Sequence, residues 1–389
     1  MSESVSYVRS ELAAPLPPPA STTGVWGWVR KNLLASPGDI VLTVIGILFV
    51  ILVAPPVYDF LIGSAVWVAE NGEVCRDPAV GACWAYIWDR LDFFVYGFYP
   101  VDPRFADQPG ILAVLLGYWR INLVFLVGLL LLVPLLLPKV PYKLANALLF
   151  FIAFPIMVYY LLNGGAFGLP AVPTEKWGGL TVTLIIGLVG IVTSLPLGIL
   201  LALGRQSKLP VIKIASVCFI ELWRSVPLIT VLFMASIMLP LFAPEGVSVD
   251  KLLRALVGVA LFNSAYMAEV VRGGLQAIPR GQYEAASSLG LNYWKRMILI
   301  ILPQALKHVI PGIVNTFIAL FKDTSLVSII GIFDLLKTVQ SSMADLNWTS
   351  SNQALTGYIF AAAVFWVFCF SMSRYSQNME RRLNTGHKR

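Results

Sequence analysis

The 389 residues are 58% apolar and only 13% charged, with a mean hydropathy of +0.77 and a formal net charge of +7. That is more apolar side chain than one soluble core of this length needs, and it comes in long blocks, which excludes an ordinary water-soluble domain. The basic excess has no aromatic or motif support for nucleic-acid binding, so no nucleic acid is expected as partner and the charge is read as membrane topology.

Residues 1–39 are polar and rich in proline (Pro15, Pro17, Pro18, Pro19), without the pattern of a cleaved secretory signal, and read as a disordered tail on the cytoplasmic side. Towards its end Trp26, Trp28, Arg30, Lys31, Leu33 and Leu34 suit a short amphipathic helix at headgroup level. Apolar stretches long enough to span a bilayer, about 20 residues each, then follow. They are Ile40 to Tyr58, ending at Pro55-Pro56, then Ile121 to Leu137, Leu144 to Leu162, Gly179 to Leu203, Ser225 to Phe242, Ala255 to Val271, Val309 to Phe321 and Leu355 to Phe370. The fold expected is therefore an all-α integral membrane protein of about eight transmembrane helices. Three N-terminal spans occupy 40–165, and five more occupy 176–385.

With eight spans both termini share a side, and the loops sort into two sets. One set holds seventeen Lys and Arg, the other seven, so the positive-inside rule puts both termini in the cytoplasm. The loop of about 60–118 then faces outward. It is acidic (Glu70, Glu73, Asp77, Asp89, Asp92, Asp102, Asp107) and carries Cys75 and Cys83 in the compartment where a disulfide can persist; the spacing leaves bridged and free states both open.

Charged residues inside spans are costly and are paired or functional. Glu221 and Arg224, and Glu269 and Arg272, stand three apart and can each share a helix face as a structural ion pair. Alternatively some of these charges, with Asn263, Tyr266, Asn315, Lys322, Asp323 and Thr324, line a path or gate for a zwitterionic solute, which needs a cation near its carboxylate and an acceptor near its ammonium.

Residues 277–303 hold the strongest pattern. Glu284, Ala285, Ala286, Gly290, Ile300, Leu302 and Pro303 fall as E-A-A-x3-G-x9-I-x-L-P. Ala285, Ala286 and Leu289 would give a short helix a low face suited to a partner's groove, and Gly290 permits the turn that ends it. Trp294, Met297, Ile298 and Ile301 then recur on one face of a second helix, expected to end at Pro303.

This segment resembles the EAA loop of ABC importer permeases. The resemblance extends over 176–385 to the polar amino-acid uptake family, the histidine and glutamine type of permease, through Glu221-Leu222-Trp223-Arg224-Ser225, Tyr266, Glu269, Arg272, Gly273, Gly274 and Leu320-Phe321-Lys322-Asp323-Thr324. The three extra spans resemble the M-type permease of general L-amino-acid importers. It implies a five-helix type I core in a bacterial inner membrane and an ATP-driven importer. The implied partners are two ATPase subunits, a second and paralogous permease, and a periplasmic amino-acid binding protein, with Glu284, Ala285, Ala286, Gly290, Trp294 and Pro303 coupling to the ATPase. No G-x-x-x-x-G-K-[ST] occurs, so the chain is expected to bind no cofactor, ATP and Mg being handled by the ATPase. His308 and His387 are the only histidines, too few for a metal or catalytic His cluster. An ion-coupled secondary transporter is the rival, but no internal repeat of that class is visible.

The topology has a direct test. A single cysteine placed at residue 285 of a cysteine-free variant should be labelled by an impermeant maleimide only from the cytoplasmic face; labelling from outside alone would invert the assignment.

Overall fold

Because a bilayer offers no hydrogen-bond partners, long apolar runs must fold as helices, and they do. The computed structural model describes residues 24–105, 110–137, 140–166, 168–242, 244 and 249–383; the first 23 residues of the tail expected over 1–39, with Asp107, Lys139 and the basic C-terminal end at Lys388 and Arg389, lie outside the described residues. Seven helical stretches among these residues are long and apolar enough to cross a membrane, and a helix pair over 210–241, bent by 102°, makes an eighth when taken as one broken span. Each of the seven overlaps one expected span, and the expected span from Ser225 to Phe242 coincides with the second helix of the bent pair.

Residues 24–65 and 79–82 form one unit. Helix α1 (Gly24–Asn32) precedes α2 (Pro37–Tyr58), whose first turn is fixed by Ser36: its hydroxyl accepts from the Asp39 amide at 3.2 Å, with Pro37 in the first turn. The span does not end at Pro55-Pro56. A π-helical turn over Asp59–Gly63 prolongs it, and the Asp59 amide reaches both proline carbonyls, the local adjustment by which a membrane helix absorbs proline. The Gly81 and Ala82 amides donate to Ser64 and Phe60 carbonyls at its end. No residue of α2 is buried, as its all-round apolar surface suits it to lipid or another chain.

The second unit holds 66–78 and everything from Cys83 onward. Short helices α3 (Trp84–Asp89), α4 (Leu91–Tyr96) and α5 (Ile111–Gly117) lead into α6 (Trp119–Leu136), then α7 (Lys143–Leu148) and α8 (Phe154–Asn163), joined by a π turn. Next come α9 (Gly179–Arg205), α10 (Pro210–Ser225), and α11 (Leu228–Phe233) continued by a π turn into α12 (Leu239–Leu241). Then follow α13 (Lys251–Gln276), α14 (Arg280–Ser288), α15 (Tyr293–Arg296), α16 (Leu302–Asp323), a 3-10 helix over Thr324–Ile330, α17 (Leu335–Ser342) and α18 (Gln353–Leu383). One apolar core runs through Ile121, Phe154 and Leu162 to Ile186, Leu232 and Val259. The second and third spans thus pack as one body with the last five.

The loop after the first span is stapled to the α17–α18 corner. Cys75 and Cys83 are bridged. Arg76 donates to the Leu346 and Thr349 carbonyls at 3.2 and 3.3 Å, the Trp348 indole donates to Asp89 at 2.8 Å, and Arg90 pairs with Asp345. Beneath them Tyr86, wholly buried, lies against Phe94 and Trp348 and meets the Ser342 hydroxyl. Further along, hydrogen bonds from Arg104 outweigh desolvation and hold the Asp102 carboxyl below the usual carboxylate range.

Where α17 begins, Asp334 caps it by accepting from the Lys337 and Leu336 amides at 2.9 and 3.2 Å, and it is fully buried. Burial outweighs those bonds and pushes its carboxyl up to about 6. Between an unfolded value of about 3.9 and about 6 the folded state holds a proton the unfolded chain has released, so this group's contribution to stability falls as pH rises across that window and is level above it. Asp334→Asn keeps a capping side chain and removes the titration. In detergent melts the variant should gain on the wild type as pH rises from about 4 to 6; a difference independent of pH would show that Asp334 does not titrate there.

Candidate functional site

The site begins with small residues on α9. Gly198 lies so close to α13 that a methyl there would stand 2.7 Å from Met267 Cβ and 3.0 Å from the Ala268 nitrogen. Such positions let membrane helices approach closely. The contact carries Arg205, the last residue of α9, to the flank of both α13 and α10. Its Nη1 donates to Glu221 Oε1 at 2.8 Å and to Glu269 Oε1 at 3.0 Å. Arg272 donates through Nε and Nη2 to Glu269 Oε2 at 2.9 and 2.7 Å. Arg224 Nη1 stands 3.7 Å from the same oxygen, and its guanidinium carbon lies 5.7 Å from the centre of the Tyr266 ring.

The Glu269–Arg272 pair therefore forms as its spacing suggests. The Glu221–Arg224 pair does not: the end of α9 crosses α10 at Ser216 and Ile212, which puts Arg205 beside the next turn, where it bridges two carboxylates at once. Arg205 is the residue that sequence reasoning missed. It falls just past the expected end of its span at Leu203, among the loop charges, and no spacing along the chain marks it as a partner of Glu221 or Glu269.

The other polar residues are not gathered here. Asn263 is buried and donates to the Val259 carbonyl of its own helix at 2.9 Å, one turn from Tyr266. Asn315 and Lys322 are exposed on α16, Asp323 is half-buried, and Thr324 is buried with its hydroxyl donated to Phe321. A methyl at Gly187 would face Phe321 and Thr324 at 3.0 and 3.9 Å. Gly187 is some five turns before Arg205, roughly 27 Å along α9. Lys322–Thr324 and the arginine cluster thus occupy opposite ends of one helix.

The same end of the bundle as the cluster carries 277–303. Leu275, Ile278, Met297, Ile301 and Ala305 share an apolar core with Ala202, Leu203 and Met267. Helix α14 spans Arg280–Ser288, and Gly290 takes a φ of +70° at the turn that follows, with open space around it. Asn292 caps α15, accepting from the Lys295 amide at 2.9 Å, and Arg296 ties the two helices by donating to the Ser287 hydroxyl at 2.6 Å. Glu284, Ala285, Ser288 and Leu289 are exposed.

Two expectations change. Ala286 is 1% exposed and faces inward, because α14 lies on this core and only its opposite face is open. Pro303 does not end the second helix: a π turn over Met297–Ile301 precedes it, and helix continues from Tyr293 to Asp323. The wider turn leaves room for a ring without an N–H to give. It also splits the apolar stripe, since Met297 and Ile301 are buried while Trp294 and Ile298 are exposed.

Among the described residues the chain is all-helical, with a charged cluster at one end and a short two-helix turn beside it, which sets its class as a multi-pass helical membrane protein. The family described as "Binding-protein-dependent transport system inner membrane component" matches residues 194–385. The chain is 52% identical over 372 residues, 96% of each sequence, to the inner membrane amino-acid ABC transporter permease protein YhdY of Escherichia coli K12. It is 39% identical, over 98% of its length and 99% of the relative, to the glutamate/glutamine/aspartate/asparagine transport system permease protein BztC of Rhodobacter capsulatus. A solved structure titled as an amino acid ABC transporter with histidines aligns over 52% of this chain and 92% of its own, at 31% identity and a TM-score of 0.46. The chain belongs to the amino-acid ABC transporter permeases: it is a membrane subunit of an ABC importer, neither an enzyme nor an ion-coupled secondary transporter.

The exchange of partners in the cluster is measurable. Double-mutant cycles on thermal stability in detergent should give Arg205 and Glu269 a coupling of about 1 kcal/mol or more, and Glu221 and Arg224 close to none. Equal couplings for the two pairs would mean that the interhelical bridge does not form.

Proposed function

We propose that this chain is one wall of the pathway of an ATP-driven importer of polar L-amino acids. It works with two ATPase subunits, an extracytoplasmic binding protein that delivers the substrate, and a paralogous second permease, the M-type half of a heterodimer. The names of the relatives support amino acids as cargo, and that of BztC supports the acidic amino acids and their amides. Both termini are cytoplasmic in this reading, supported by the seventeen-to-seven distribution of basic residues, and α1 with its exposed Trp26 and Trp28 rests at the inner headgroups. The chain binds no cofactor itself; ATP and Mg belong to the ATPase. Asn263, Tyr266, Asn315 and Lys322 to Thr324 serve as polar stations along the pathway, supported by their spread over α13 and α16.

The observation that carries the proposal is the projecting turn of α14 and α15. Its open face of Glu284, Ala285 and Leu289 is continued by exposed Trp294 and Ile298. Its inner side is rooted through Tyr283 and Met297 in the core that holds α9 and α13. A push on this turn is passed to the spans by one unbroken helix from Tyr293 to Ile330, a contiguous element of the kind that coupling requires.

Ala285→Asp puts a charge on the open face. Gly290→Val forces a side chain into a positive-φ conformation, at roughly 1–2 kcal/mol. Both variants should insert and assemble normally and lose at least tenfold in ATPase stimulation by loaded binding protein, whereas Ala286→Asp should lower assembled protein instead. Full stimulation in both Ala285→Asp and Gly290→Val would remove the turn from the coupling route.

A further inference from the structure

The arginine cluster is unbalanced. Among the described residues Arg205, Arg224 and Arg272 pair only with Glu221 and Glu269, and the hydrogen bonds are not shared evenly. Glu221 is held by Arg205, while Glu269 spends one oxygen on Arg205 and the other on both Nε and Nη2 of Arg272. Arg224 reaches Glu269 at 3.7 Å, beyond hydrogen-bond distance, and among the described residues its guanidinium makes no hydrogen bond. It is held instead over the face of Tyr266, and both side chains are open within this chain. The cluster thus has one positive charge in excess, and that charge sits on the guanidinium with unused donors.

A second feature adjoins it. Arg224 lies in the last turn of α10, immediately before the 102° break at Val226 and Pro227. The residue after the helix, Val226, is extended and returns no amide to the turn, and Pro227 has no amide to give. Carbonyls at the end of this turn are therefore left uncapped, with Ser225, exposed, donating its hydroxyl back to Leu222 at 2.9 Å. A helix end of this kind attracts a cation. Within one turn, then, stand a planar cation with free donors and a set of carbonyl acceptors, the complement of an α-amino acid zwitterion.

We propose that the break between α10 and α11 is a handover site for the translocating amino acid, where Arg224, steadied by Tyr266, takes its carboxylate and the uncapped carbonyls of α10 take its ammonium. Glu269 and Arg272 act as positioning residues: they fix Arg205, and by saturating it and one another leave Arg224 as the available cation. The site lies at the end of the bundle that bears α14, so a movement of that turn acts on it through the shared core of Leu275, Met297 and Ala202. Arginine suits the role because it remains charged in a poorly hydrated place and grips a carboxylate with two parallel bonds.

This inference rests on the reading of the chain as an amino-acid importer, and the test separates the two. The complete complex, with partner permease, ATPase and binding protein, is reconstituted into proteoliposomes and screened with the common L-amino acids as radiolabelled probes. Absence of ATP-dependent uptake of every one by the wild type would overturn the importer reading. With the best-transported amino acid as probe, Arg224→Gln should assemble normally and keep its ATPase stimulation by loaded binding protein. Its uptake should fall roughly 10- to 100-fold, the weight of a lost hydrogen bond to a charged group, and Arg224→Lys should recover part of that loss. In a Ser225→Cys complex that keeps Arg224 and has no other reactive cysteine, labelling by a positively charged methanethiosulfonate should slow when the probe is present during turnover. Wild-type uptake by Arg224→Gln overturns the proposal. So does parallel loss of uptake and ATPase stimulation, failure of both Gln and Lys variants to assemble, or labelling indifferent to the probe.

Discussion

The approach of α9 to α13 at Gly198 is the constraint on which the rest of this end of the molecule depends. A side chain at that position would push against Met267 and the backbone at Ala268. In a bilayer, where apolar helices gain little from leaving lipid for one another, close backbone packing and interhelical hydrogen bonds hold spans together. Here the two are linked. The close approach sets Arg205 between Glu221 and Glu269, and the ionic bonds then fix the crossing of α9, α10 and α13.

That crossing explains why a charged cluster is tolerated. Desolvating a guanidinium or carboxylate is expensive, and only several short, well-directed bonds offset it. Glu269, with a side chain 16% exposed, has such bonds from both Arg205 and Arg272. Arg224 does not, and it sits where α10 ends and the chain turns by 102°. The place with the least complete pairing is also the place with the most broken backbone. This combination marks a site able to exchange an internal partner for a mobile one.

The opposite end is built differently. A disulfide, an ion pair and a buried tyrosine fasten the loop after the first span to the corner between α17 and α18. There the contacts are closed on all sides, as in a soluble domain. Between these two ends α16 runs through Pro303 and Pro311 with a π turn at Met297–Ile301, so the projecting turn and the far end of the bundle are joined by a single helix. A helix with one local irregularity transmits displacement and can pivot at the irregular turn.

Composition and hydropathy alone determined that this chain crosses a membrane about eight times, because uninterrupted apolar length is a property of consecutive residues and needs no neighbour. The E-A-A-x3-G pattern likewise located the projecting turn, since the turn at Gly290 and the helix before it are local in the chain. What the sequence could not decide was which side chain meets which across helices. Glu221 and Arg224 have ideal spacing on one helix, yet Glu221 bonds to Arg205 because α9 ends beside it. Ala286 looked like part of an open face until the core under α14 covered it, and Pro303 read as a stop until a π turn made room for its ring. Spacing along one helix fixes only what shares a face; the partner that face meets is set by how closely other helices approach, and only the tertiary structure decided that.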